Sequence, residues 1–76
     1  MVRNRVRVYV KQEFLAMEMA RRNISLQGLA RGLKVSPGYV SQLLRGTRRP
    51  SPKLRERLQT LLHIDDFDRL FRLEKG

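Results

Sequence analysis

Ser25-Leu26-Gln27-Gly28-Leu29-Ala30-Arg31-Gly32-Leu33-Lys34-Val35-Ser36-Pro37-Gly38-Tyr39-Val40-Ser41-Gln42-Leu43-Leu44-Arg45-Gly46-Thr47-Arg48-Arg49-Pro50-Ser51 is the stretch that decides the fold. Ser25 is an N-cap candidate for a helix ending near Leu33. Its two glycines, Gly28 and Gly32, each cost roughly 1 kcal/mol against alanine, so the helix needs tertiary packing or needs its glycines for close approach. Lys34-Val35-Ser36 is a tight turn. Ser36 caps the next helix and Pro37 takes its first position, where a missing N–H costs nothing. That helix runs to about Arg45, with Val40, Leu43 and Leu44 apolar, and Gly46 stops it. Thr47-Arg48-Arg49-Pro50 is a loop, after which Ser51 caps again.

Working outward, residues 11–22 are helix formers apart from Phe14, with Leu15 and Met19 on one side and Phe14, Ala16 and Ala20 widening it. Asn23 marks a stop. Beyond Ser51, Pro52 opens a helix striped by Leu54, Leu58, Leu61 and Leu62. Asp65 is expected to cap a last helix carrying Phe67, Leu70 and Phe71. At the other end, Val2, Val6, Val8 and Val10 alternate with Arg3, Arg5, Arg7 and Tyr9, a period-2 strand pattern. No second strand is read anywhere. The expected fold is therefore mainly α: five helices plus an extra N-terminal β-strand, with residues 1–10 a strand or arm and 11–76 a helical domain.

The chain has 76 residues, 17 Lys+Arg and 7 Asp+Glu, so the formal charge is 17 − 7 = +10. A body this small buries only about 60% of its unfolded surface and has no room for a large interdomain cleft. Without cysteine, disulfides and thiolate chemistry are excluded, and the single His63 builds neither a metal site nor a triad. Asp65, Asp66 and Asp68 read as helix-start residues rather than metal ligands. No nucleophile–base pair, carboxylate dyad or phosphate loop is recognisable, so neither an enzyme nor a cofactor is expected. No apolar run is long enough to span a bilayer, and the N-terminus lacks a signal-peptide stretch, so a cytoplasmic, nucleoid-associated location is expected. Such a cationic excess selects a polyanion as partner, nucleic acid before membrane. It is concentrated in residues 21–57, where Glu56 is the only acid, whereas residues 61–76 are slightly acidic.

Two short helices joined by a tight turn, inside the cationic region, form a helix-turn-helix pattern. Ala30 keeps their crossing close, and Leu29, Val35, Val40 and Leu43 fix the angle. A major groove admits one such helix and little more. Leu29-Ala30, Val35-Ser36, Tyr39-Val40-Ser41, Arg45-Gly46 and Arg49-Pro50-Ser51, in this register, resemble the Cro and lambda-repressor type of helix-turn-helix protein, the XRE family. The resemblance covers residues 15–62 and extends toward 73. It implies a five-helix lambda-repressor-like domain that binds double-stranded operator DNA, usually as a homodimer, and regulates transcription, with a recognition helix at about 37–45. It implies that Ser36, Gly38, Ser41, Gln42 and Arg45 face DNA and that Arg49 reaches the backbone or minor groove.

Three positions depart from the family pattern. Leu26 stands where a phosphate-binding glutamine is common, Leu44 where glutamate is common. Lys34 stands where glycine often makes the turn, so the backbone there is costly or turns differently. With Pro37 and Gly38 at the leading edge, direct readout falls on Ser41, Gln42 and Arg45. Gln42 suits adenine and Arg45 guanine. Thr47, Arg48 and Arg49 form a loop suited to phosphates, and Tyr39 is a phosphate contact or a partly packed ring. A non-specific architectural role and a DNA-binding antitoxin, docking a protein through an exposed Phe67-Leu70-Phe71 patch, are the rival readings. A lone strand leaves backbone groups unsatisfied. Val2, Val6, Val8 and Val10 are thus expected to pair with a second copy, the competing idea being a cationic arm in a DNA groove.

Overall fold

The computed structural model describes residues 5–75. Among them are five helices and two strands: β1 (Val6–Val10), α1 (Gln12–Arg21), α2 (Leu26–Leu33), α3 (Pro37–Arg45), α4 (Pro52–Leu62), α5 (Phe67–Leu70) and β2 (Phe71–Lys75). The helical stripes converge on one core that includes Leu15, Leu29, Leu33, Val40, Leu43, Leu58, Leu62 and Leu70, all essentially inaccessible. Each such side chain contributes about 1.5–3 kcal/mol by leaving water, which explains why helices as short as α2 and α3 hold. Gly32 is where α2 meets α4, since a Cβ there would lie 2.9 Å from Leu61 Cδ2. Ala16 and Ala20, expected on the apolar side of α1, are exposed, and Met17 stands 58% exposed beside them.

The start signals act as the sequence indicates. The hydroxyls of Ser25, Ser36 and Ser51 accept from the backbone N–H of Gly28, Tyr39 and Leu54 at 2.9, 3.1 and 3.2 Å. For α5 the cap is Asp66, not Asp65: its carboxylate accepts from Asp68 N–H at 3.1 Å.

The stops share one geometry. Asn23, Lys34, Gly46 and His63 all have left-handed backbones, with φ of 55°, 62°, 77° and 54°. In each case the next residue's N–H returns to a carbonyl in the preceding helix: Ile24 to Met19, Val35 to Ala30, Thr47 to Gln42, Ile64 to Gln59, at 2.9–3.0 Å. This 6→1 closure satisfies helix-end carbonyls. Lys34 therefore does adopt the costly turn conformation.

The lone strand is a correction. β1 pairs antiparallel with β2 of the same chain, Val8 opposite Leu73 and Val10 opposite Phe71. Phe71, read from sequence as part of the last helix, instead begins a strand, because α5 closes after one turn and Phe71 takes an extended backbone. Its ring is then buried, 4.9 Å from that of Phe67. The valines divide accordingly: Val10 is core, Val8 half-buried, Val6 40% exposed, and Val2 lies outside the described residues. The unsatisfied backbone that suggested a ribbon between copies is thus met within one chain. The expected Phe67-Leu70-Phe71 patch is likewise absent, since Leu70 and Phe71 are core and Phe67 packs against it.

Candidate nucleic-acid interface

α2 packs against α3, and Leu29, Ala30, Val40 and Leu43 are all buried in the core the two helices share. This leaves the opposite side of α3 outward. Ser36, Gly38 and Arg45 are exposed, and Tyr39, Ser41 and Gln42 are half-buried. Spacings of three and four residues place Gly38, Ser41, Gln42 and Arg45 along one helical stripe.

The side chains on this stripe are already connected. Arg45 Nη1 donates to Ser41 Oγ at 2.6 Å, one turn back. Arg48 Nε donates to Gln42 Oε1 at 3.0 Å. The Arg48 guanidinium also lies over the Tyr39 ring, 5.0 Å from its centroid, a cation–π distance. Thr47 Oγ1 donates to the Gln42 carbonyl at 3.3 Å, beside the backbone bond that closes α3. Tyr39, Ser41, Gln42, Arg45, Thr47 and Arg48 thus form one surface.

Two expected residues stand apart. The Ser36 hydroxyl is engaged as a cap, and Gly38 offers only backbone at the start of α3. Arg49 is exposed beside the buried Pro50. Val6, Val8 and Val10 belong to the ribbon.

Three supporting contacts were not read from the sequence. Arg57 Nη1 donates to the Leu33 carbonyl at 3.3 Å and ties α4 to the end of α2. Gln12 covers Gly46, where a Cβ would sit 2.3 Å from Gln12 Nε2. Glu18, a charged residue only 4% exposed, binds Arg22 Nε at 3.1 Å and pairs also with Arg21. The signal for the last pair was available, because Glu followed by Arg at i+4 is a favourable helical spacing.

The family model for a helix-turn-helix domain matches residues 13–70. The chain belongs to this helix-turn-helix family. It is a helix-turn-helix DNA-binding domain, with α2 and α3 as the two helices and Lys34-Val35-Ser36 as the turn. The match leaves β1 and β2 outside, so the ribbon is an addition around the family's common part. No curated protein and no solved structure matched the chain. Among the described residues, no helix is long and apolar enough to cross a membrane, and no group of three or more His, Asp or Glu is placed to hold a metal ion.

Proposed function

We propose that this protein is a sequence-specific regulator that binds duplex DNA as a homodimer, in the manner of Cro and lambda repressor, and works in the cytoplasm at the nucleoid. α3 enters the major groove. Ser41, Gln42 and Arg45 read base edges, while Tyr39, Thr47, Arg48 and Arg49 hold phosphates, with the Ser36–Gly38 backbone at the leading end.

The single observation that carries this reading is the connected surface on α3. Arg48 holds Gln42 and Ser41 holds Arg45, so the two longer base-reading candidates are oriented before DNA arrives. A merely cationic coat has no use for oriented amides. Arg45 keeps further guanidinium donors for a guanine, and Gln42 keeps its amide N–H groups and a second carbonyl lone pair for a base. Of the three apolar residues on which the antitoxin alternative rests, Leu70 and Phe71 are in the core and Phe67 packs against it, which favours the regulator reading.

The test is enrichment of bound duplexes from a random pool, followed by affinities for the winner and a scrambled duplex at one salt concentration. A specific regulator gives a ratio of about 10³ or more. A ratio near one establishes the architectural reading instead. Affinity should also fall by roughly 10³–10⁵ between about 50 and 200 mM salt if six to ten phosphates are neutralised per dimer. A flat salt response removes nucleic acid as the partner.

A further inference from the structure

The end of α2 packs beside α4, and the seam between them holds an open groove of about 380 Å³. Gly32 and Lys34 line one side, and Lys53, Arg57, Thr60 and Leu61 line the other. None of the residues proposed to meet DNA lines it. Spacings of three and four residues put the α4 members on one face, and the rise from Lys53 to Leu61 is about 12 Å.

The two ends of the groove differ in chemistry. At one end a Cβ on Gly32 would lie 2.9 Å from Leu61 Cδ2, so bare backbone faces leucine methyls. At the other, Arg57 Nη1 donates to the Leu33 carbonyl at 3.3 Å, which brings the guanidinium to the residue before Lys34. Lys53 follows one turn along α4. Among the described residues the ion pairs are made by Glu18 and Glu74, so these three cations stay unneutralised, with Glu56 as the groove's one acid. Lys34 also keeps its charge at a strained position, φ 62°. Strain of this kind clusters at ligand clamps and switch regions.

We infer that this groove binds a small phosphate monoester, its phosphate among Lys34, Lys53 and Arg57 and its compact apolar group on Gly32 and Leu61. Arg57 uses one of its N–H donors on Leu33, and the rest of the fork suits phosphate oxygens. The volume falls within the range of small-molecule sites, about 300–1,000 Å³. Bare phosphate leaves the Leu61 end empty, and an uncharged aromatic leaves three cations unmatched. The site lies behind the turn of the motif and stands independently of the DNA-binding reading.

The experiment titrates phenyl phosphate into the full chain without DNA, at constant ionic strength, and follows the backbone amide resonances. Inorganic phosphate and benzyl alcohol serve as the two half-ligands. Phenyl phosphate should move the amides of Gly32, Lys34, Lys53 and Leu61 and bind roughly tenfold tighter than either half, because it places charge and apolar surface together. A chain carrying both K34G and K53E should lose roughly tenfold or more. Glycine relieves the Lys34 backbone and glutamate suits the first turn of a helix, so both changes favour the fold. K53E alone, at an exposed position, should lose a few-fold. A chain carrying both R48A and R49A should bind as wild type, which separates the groove from the surface proposed for DNA. Shifts confined to α3 and the 47–49 loop would overturn the inference. So would inorganic phosphate binding as tightly as its phenyl ester, unchanged affinity in the K34G and K53E chain, or no response up to about 10 mM, weaker than a small ligand of this size needs to be.

Discussion

Arg48 and Gln42 are held together across the end of α3, Arg48 Nε donating to Gln42 Oε1 at 3.0 Å while the same guanidinium covers the Tyr39 ring. A guanidinium has no acceptor, so only the amide oxygen can face it, and this sets which way the Gln42 amide points. On the proposed reading Arg48 has two separable roles, a charge for phosphate and an orienting hand for a base reader. Lysine keeps the charge but lacks the planar fork. R48K is expected to keep the salt slope of wild type and lose about 1 kcal/mol of discrimination at one base pair, within the range of a single direct contact. R48A should lose both. Equal discrimination in R48K and wild type would mean that Arg48 acts as charge alone.

Gln42 and Arg49 should fail differently. Removing a base contact costs about 1–3 kcal/mol on the preferred site and relaxes one position. Removing a phosphate contact weakens all sequences alike and lowers the salt slope by about one. Q42A and R49A, titrated against preferred and scrambled duplexes at several salt concentrations, are expected to show these two signatures. If Q42A leaves selectivity intact, readout is carried by DNA shape rather than by this amide.

The turn of the motif makes a stability prediction. Lys34 holds φ 62°, a region that costs a residue with a Cβ roughly 1–2 kcal/mol. Glycine removes that strain and returns part of it as unfolded-state entropy. K34G is therefore expected to gain about 0.5–1 kcal/mol, seen as a rise of a few degrees in Tm. The mirror experiment is G46A at φ 77°, where the left-handed strain is imposed and the new Cβ also meets the flexible end of Gln12. It should lose about 1–2 kcal/mol, and Q12A should relieve the steric part but not the conformational one.

Glu18 is buried to 4% exposure and carries the pairs to Arg22 and Arg21. E18A leaves Arg22, one-third exposed, without its carboxylate, and is expected to cost about 1–3 kcal/mol as lost charge-assisted bonds. Arg21 is far more exposed and R21A should change stability by a few tenths at most. Urea unfolding of the two variants separates them. Equal losses would mean that the pair, not the burial, sets the cost.

The helices and their starts were legible because serine, proline and leucine state their roles locally: Ser25, Ser36 and Ser51 cap, and Leu54, Leu58 and Leu62 mark one side. The stops were less so. One of four left-handed positions is a glycine, and Lys34 and His63 advertise nothing, since the conformation is imposed by the apolar residue that follows and closes onto the helix. β2 was not legible at all. Phe67, Leu70 and Phe71 have helical spacing, and a strand of five residues is fixed by pairing to β1 some sixty positions away, which no local pattern encodes. The residues proposed to meet DNA were chosen by residue type and register. Its internal bonds, Arg48 to Gln42 and Arg45 to Ser41, depend on side-chain reach that only the folded chain supplies.

The ribbon changes what truncation means. Residues 1–10 look removable if they are an arm or a separate dimer element, and removing them would then leave the helical domain intact. Val10 is 2% exposed within the core, and β2 has β1 as its strand partner among the described residues. Lys11 N–H is bonded to the Leu70 carbonyl at 2.7 Å, so the end of β1 is also pinned to the end of α5. Deleting residues 1–10 therefore withdraws a core side chain and exposes the edge of β2 together with Leu73. The expected outcome is a domain destabilised by several kcal/mol, by analogy with the loss of one buried aliphatic side chain at about 1–3 kcal/mol plus the strand pairing. V10A isolates the first part, with a loss of about 1–3 kcal/mol and no change in β-strand content by circular dichroism. A truncated chain that melts at the wild-type temperature would show that β1 is dispensable to the fold and free to serve as an arm after all.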